Sequence, residues 1–114
     1  MKVDKPTLSQ LFDYYGELLT VKQRECFDLY CNEDDTLAEI AELLGISRQG
    51  VFDAVRRSEE QLLRLEAVTG CLARERKIAE TAQLLRALAD QVRSAAPAEL
   101  PGLADRLAAA AEAL

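Results

Sequence analysis

The chain of 114 residues has no histidine and no tryptophan. The missing histidine removes the side chain that most readily exchanges protons near neutral pH and most often ligates metals. Cysteine is scarce as well: Cys26, Cys31 and Cys71 are an odd number without C-x-x-C spacing, which suits neither a disulfide framework nor a zinc site. They read as buried or half-buried free thiols of a reducing compartment. No serine or cysteine stands beside a recognisable base and no glycine-rich phosphate loop is present, so no catalytic residue, no metal site and no cofactor is expected. Also missing is any uninterrupted apolar run of about 18 residues. Met1-Lys2-Val3-Asp4-Lys5 passes into Pro6 without the apolar segment of a secretory signal. Membrane insertion is therefore not expected, and the expected address is the cytoplasm.

Aromatic mass is limited to three Phe and three Tyr, while hydrophobic residues make up 49% of the chain. Leu and Ala must fill most of the interior, as in helical bundles. The expected fold is all-α: a small helix-turn-helix domain followed by a long C-terminal helix. Basic charge is also short. The formal net charge is -6, with 8 Asp/Glu against 4 Lys/Arg in residues 1–35, 6 against 4 in 36–66 and 6 against 6 in 67–114. Nucleic-acid binders usually carry a basic footprint, which the chain as a whole lacks. A dipolar protein can still present a basic face.

Apolar residues Leu8, Leu11, Phe12, Tyr15, Leu18 and Leu19 recur at helical spacing behind Pro6-Thr7 and predict a first helix. Thr20 and Gln23 form a capping box that opens a second helix, from about Val21 to Cys31. The acidic stretch Glu33-Asp34-Asp35 reads as a solvated loop that favours the N-terminus of the next helix. Thr36 and Glu39 make another capping box, predicting a helix over Leu37–Leu44 that Gly45 ends in the left-handed conformation. Ser47 then caps a helix beginning near Arg48, and Val51, Phe52, Val55, Leu62, Leu65 and Val68 continue helical spacing up to Gly70, a position to kink or divide the run.

Beyond Gly70, Ile78, Ala82, Leu85, Ala89 and Val92 form a short heptad-like seam. Packing against a second copy in a homodimer and packing within the chain both fit it. Pro97 and Pro101-Gly102 precede an Ala-rich tail in which Leu103, Leu107 and Leu114 mark a last helix. The division expected is a helix-turn-helix domain over 1–66, a helical extension over 67–96 that is a candidate dimerisation helix, and a helical tail over 97–114.

The segment from Thr36 to Arg57 combines the demands of a helix-turn-helix. Thr36 caps the first helix; Ala41 is small where two helices cross; Gly45 makes the turn; Ile40, Leu44, Ile46, Val51 and Val55 supply the core between the helices. On the second helix Arg48, Gln49, Asp53 and Arg56 are expected to face outward, with chemistry suited to base edges: Arg to guanine, Gln to adenine, Asp to the cytosine amine. Ser47 and Arg57 could hold phosphates instead. Against this, Asp53 could pair with Arg56 or Arg57, and Glu39, Glu42 and Asp53 would repel phosphate. Gly50 admits two explanations, close contact with the preceding helix or close approach of DNA.

Together with Leu19-Thr20-Val21-Lys22-Gln23-Arg24, the motif resembles region 4 of bacterial sigma factors. More narrowly, Leu11-Phe12-Asp13-Tyr14-Tyr15-Gly16-Glu17-Leu18-Leu19-Thr20, Ser47-Arg48-Gln49-Gly50-Val51-Phe52-Asp53 and Arg56-Arg57-Ser58-Glu59 resemble the YlxM-type helix-turn-helix family over roughly residues 8–90. That family is small, cytoplasmic and bacterial, and is associated by gene neighbourhood with the signal recognition particle protein and its receptor. The resemblance implies a regulatory helix-turn-helix protein that binds DNA, with a role in co-translational protein targeting. The alternative it implies is an accessory protein that binds a signal recognition particle protein or RNA without sequence-specific DNA binding. Ala95 to Leu114 lie outside the resemblance.

Overall fold

Local capping by Thr20, Thr36 and Ser47 sets three helix starts in the computed structural model, which describes residues 3–114. Helix α1 spans Lys5–Tyr15, α2 Val21–Cys31, α3 Leu37–Leu44, α4 Arg48–Thr69, α5 Cys71–Ser94 and α6 Leu100–Glu112, with single 3-10 turns at Gly16–Leu18 and Pro97–Glu99. No strand occurs among the described residues. No helix is long and apolar enough to cross a membrane among those residues.

The capping box at Thr20 is formed in both directions: its hydroxyl accepts the Gln23 N–H at 3.2 Å, and the Gln23 carbonyl accepts the Thr20 N–H at 3.1 Å. The first helix departs from its sequence pattern, which runs on to Leu19. It stops at Tyr15, where the chain tightens into the 3-10 turn Gly16–Leu18, and a Cβ at Gly16 would lie 3.0 Å from the Phe12 ring. Through this turn Leu19 enters the core while Leu18 is left 62% exposed. Gly70, at φ 64°, ends α4 and divides it from α5.

Two units are distinguished along the chain, Met1–Leu72 and Ala73–Leu114. In the first, α4 packs against α1, α2 and α3, and α4 is about 33 Å long at 1.5 Å per residue. The core gathers Leu8, Leu11, Phe27, Ile40, Val51 and Leu62. The Phe12 and Phe27 rings lie 5.4 Å apart at 35°. Ser58 is fully buried on α4, and its hydroxyl donates to the Ala54 carbonyl at 2.7 Å, which removes the cost of burying an unsatisfied hydroxyl. Lys5 donates to the Asp34 carboxylate at 2.7 Å and lies 4.4 Å from the Tyr30 ring centre, tying the start of α1 to the loop before α3. Cys26 is buried, Cys31 and Cys71 are half-buried, and all three are free thiols.

The junction after Gly70 is braced by Glu66. Its carboxylate accepts the Tyr15 hydroxyl at 2.7 Å and the Leu72 N–H at 2.9 Å, satisfying one of the open donors at the start of α5. In the second unit Arg106 of α6 donates to the Gln91 side chain of α5 at 3.2 Å, and Leu88, Leu103 and Ala110 are buried. The seam positions lie differently: Ile78, Ala89 and Val92 are exposed, with Ala82 and Leu85 half-buried. The buried positions of α5 in this unit are Thr81 and Leu88, one residue or more off the seam.

Candidate nucleic-acid interface

Helices α3 and α4 build a helix-turn-helix from local hydrogen bonds. The Thr36 hydroxyl accepts the Glu39 N–H at 3.1 Å, and the Glu39 carboxylate accepts the Thr36 N–H at 2.9 Å. That backbone donor holds the Glu39 carboxyl below the usual carboxylate range, with the Thr36 side chain adding to the effect. At the other end Gly45 takes φ 69°, and the Ile46 N–H donates to the Ala41 carbonyl at 3.1 Å, closing the turn. Ser47 caps α4 by accepting the Gly50 N–H at 3.0 Å.

Ile40, Ala41, Val51 and Val55 are buried, and Leu44 and Ile46 are half-buried. With one face of α4 held inward, the other is delivered outward as two rows at four-residue spacing. One row is Arg48, Phe52 and Arg56; the other is Gln49, Asp53 and Arg57, and all six are exposed. Ser47 is exposed at their N-terminal end, its oxygen already engaged by Gly50.

The pairing alternatives weighed for Asp53 are not the ones formed. Asp53 accepts from the Gln49 amide at 3.1 Å, and Arg56 pairs with Glu60 at 3.3 Å. Both are i,i+4 contacts along the exposed face, where α4 supplies a carboxylate one turn beyond Arg56. Among the described residues, Arg48 and Arg57 have no ion pair, which leaves both cations available to an outside anion. Gln49 is oriented by Asp53 and keeps its own carbonyl as an acceptor.

Two residues outside the sequence-predicted set join this surface. Lys22, in the first turn of α2, lines a cleft of about 340 Å³ with Thr20, Gln23, Gly50, Asp53 and Arg57. It thus adds a cation beside Arg57. Its signal in the sequence is a lysine just after a capping box, but nothing local says that α2 begins next to α4. Phe52 is the second: counted among the apolar residues of the α4 pattern, it is 46% exposed. The inward positions belong to Val51, Ala54, Val55, Ser58 and Leu62, and Phe52 is turned about 100° from Val51 by the helical repeat.

Gly50 makes no close contact with α3. A Cβ there would meet only the Ser47 hydroxyl, at 3.1 Å, so the cap of α4, not α3, crowds this position. Asp35, Glu39, Glu42 and Leu43 line a separate, open depression on α3 that shares no residue with the Lys22–Arg57 cleft. Among the described residues no group of three or more His, Cys, Asp or Glu side chains is placed to hold a metal ion.

Comparison with known proteins bears on the same segment. A model of the UPF0122 family, described as "Putative helix-turn-helix protein, YlxM / p13 like", matches residues 3–99. A UPF0122 protein of Thermoanaerobacter sp. (strain X514) is 48% identical over 71 residues, covering 62% of this chain and 61% of that protein. One from Caldanaerobacter subterraneus subsp. tengcongensis is 44% identical over 78 residues, covering 68% and 67%. Another, from Halalkalibacterium halodurans, is 40% identical over 84 residues, covering 74% and 77%. The chain thus spans about three fifths, 61%, of the length of its Thermoanaerobacter relative. From the approach to α1 through the turn before α6, this chain belongs to the UPF0122 family of YlxM / p13-like helix-turn-helix proteins.

Proposed function

We propose that the first unit is a DNA-binding regulatory module in which α4 enters the major groove. The observation that carries this is the outward face of α4, where Arg48 and Arg57 stand without ion pairs beside Gln49 and Asp53 on a helix fixed by a capped helix-turn-helix. Arg48, Gln49, Asp53 and Arg56 take the base edges, and Ser47, Arg57 and Lys22 take phosphates. This is binding and not catalysis, and it is work for the cytoplasm. A second copy seated on the exposed α5 residues Ile78, Ala89 and Val92 would double the contacts and set half-site spacing, as helix-turn-helix dimers do. The formal charge of -6 makes such doubling useful.

The test is affinity for duplex DNA as a function of salt. Two cationic phosphate contacts per copy, Lys22 and Arg57, give a logarithmic slope of about -1.8, and Arg57→Ala is expected to reduce it by about 0.9 for each copy bound. Absence of binding at low salt overturns the assignment.

The same charge of -6, together with the acidic depression on α3, favours a second assignment. Here the chain is an accessory protein of the signal recognition particle pathway that binds a basic protein component of the particle. Co-purification with the targeting GTPase near physiological salt is the expected result, and its absence counts against this assignment.

A further inference from the structure

We propose that Phe52 is a specificity-determining residue that reads the 5-methyl group of thymine in the major groove. The assignment rests on the DNA-binding role of α4 given above. Phe52 stands 46% exposed on the outward face of α4, with Arg48 four residues before it and Arg56 four residues after. Residues at this spacing lie on one row, about 6 Å apart along the axis. The row therefore reads cation, aromatic ring, cation. Phe52 also forms one wall of a hollow of about 290 Å³ that it shares with Tyr30, Leu37, Val55, Arg56 and Glu59, a lining of mixed apolar and charged side chains.

Arg48, Gln49 and Asp53 around Phe52 are the groups assigned to base edges, and an apolar ring among them complements an apolar group set among hydrogen-bonding base edges. The major groove is such a surface: the thymine methyl is the apolar group among the hydrogen-bonding base edges presented there. Duplex RNA is not, since uracil lacks that methyl and the A-form major groove is too narrow and deep for side chains to read. Gln49 and Asp53, on the neighbouring row, face polar edges; Phe52 supplies the one contact that those two cannot make.

The experiment uses the full chain to select sites from a random duplex DNA library. The selected duplex is then remade with deoxyuridine in place of one thymine at a time, which removes the methyl and nothing else. One position is expected at which this weakens binding about fourfold, the worth of one buried methyl group. Phe52→Ala is expected to bind the thymine and deoxyuridine duplexes equally while keeping the salt dependence of the parent. Phe52→Gln, polar and compatible with a helix, is expected to do the same and carries the comparison if Phe52→Ala does not melt cooperatively. A selected site where no thymine-to-deoxyuridine change matters, or discrimination that persists in both variants, overturns the role of Phe52 and leaves DNA binding standing. Enrichment of no duplex, or of RNA alone, removes the DNA-binding role and the role of Phe52 with it.

Discussion

Leu62 and Leu18 are chemically the same residue, yet one is fully buried at the centre of the first unit and the other is 62% exposed on a 3-10 turn. Truncating Leu62 to alanine removes buried methyl groups and leaves a cavity, a change that costs about 2–5 kcal/mol. Leu18→Ala is expected to stay within about 0.5 kcal/mol of the parent. Urea unfolding midpoints at constant slope check both. The difference was not legible in the apolar pattern, which treated the two leucines alike. Ser58 was passed over for the opposite reason. As a polar residue it does not register in hydrophobic spacing, but its hydroxyl reaches the Ala54 carbonyl one turn back and so can occupy the core face.

Elements were far more legible, because their ends are made by near neighbours. Thr36 and Glu39 are three residues apart and close on each other in the structure as their spacing predicts. Thr36→Ala is expected to destabilise the fold by about 1 kcal/mol. The cap also carries a pH dependence. Glu39 is held below its ordinary value of 4.5 by the Thr36 backbone donor. A carboxyl depressed in the folded state stabilises it above the unfolded value, and that contribution is lost as pH falls through the folded one. The first turn of α3 is therefore expected to loosen as pH drops from about 4.5 downward. Amide exchange at Thr36 should follow this, and Glu39→Gln, which keeps an acceptor but cannot titrate, should flatten it. Where an element departs from its apolar spacing, the backbone tightens: α1 ends at Tyr15, four residues before that spacing runs out, and passes into the 3-10 turn Gly16–Leu18.

For the whole molecule, charge and oligomeric state have to be considered together. A copy carrying -6 presents few cations to DNA, and α5 leaves Ile78 54% and Val92 38% exposed. Sedimentation at rising concentration is expected to show a dimer that Ile78→Glu converts to a monomer; a strict monomer at high concentration would sink the dimer and the half-site spacing with it. The sequence by itself determined the all-helical class, the boundaries of α2 and α3, the left-handed turn at Gly45 and the start of α4 at Ser47, since each depends on hydrogen bonds among residues a few positions apart. Only the tertiary structure decided that Lys22 lines a cleft with Arg57, that Asp53 orients Gln49 while Arg48 and Arg57 stay unpaired, and that Phe52 faces outward. Those outcomes turn on which helices lie side by side and which face each one buries, and packing between distant segments sets both.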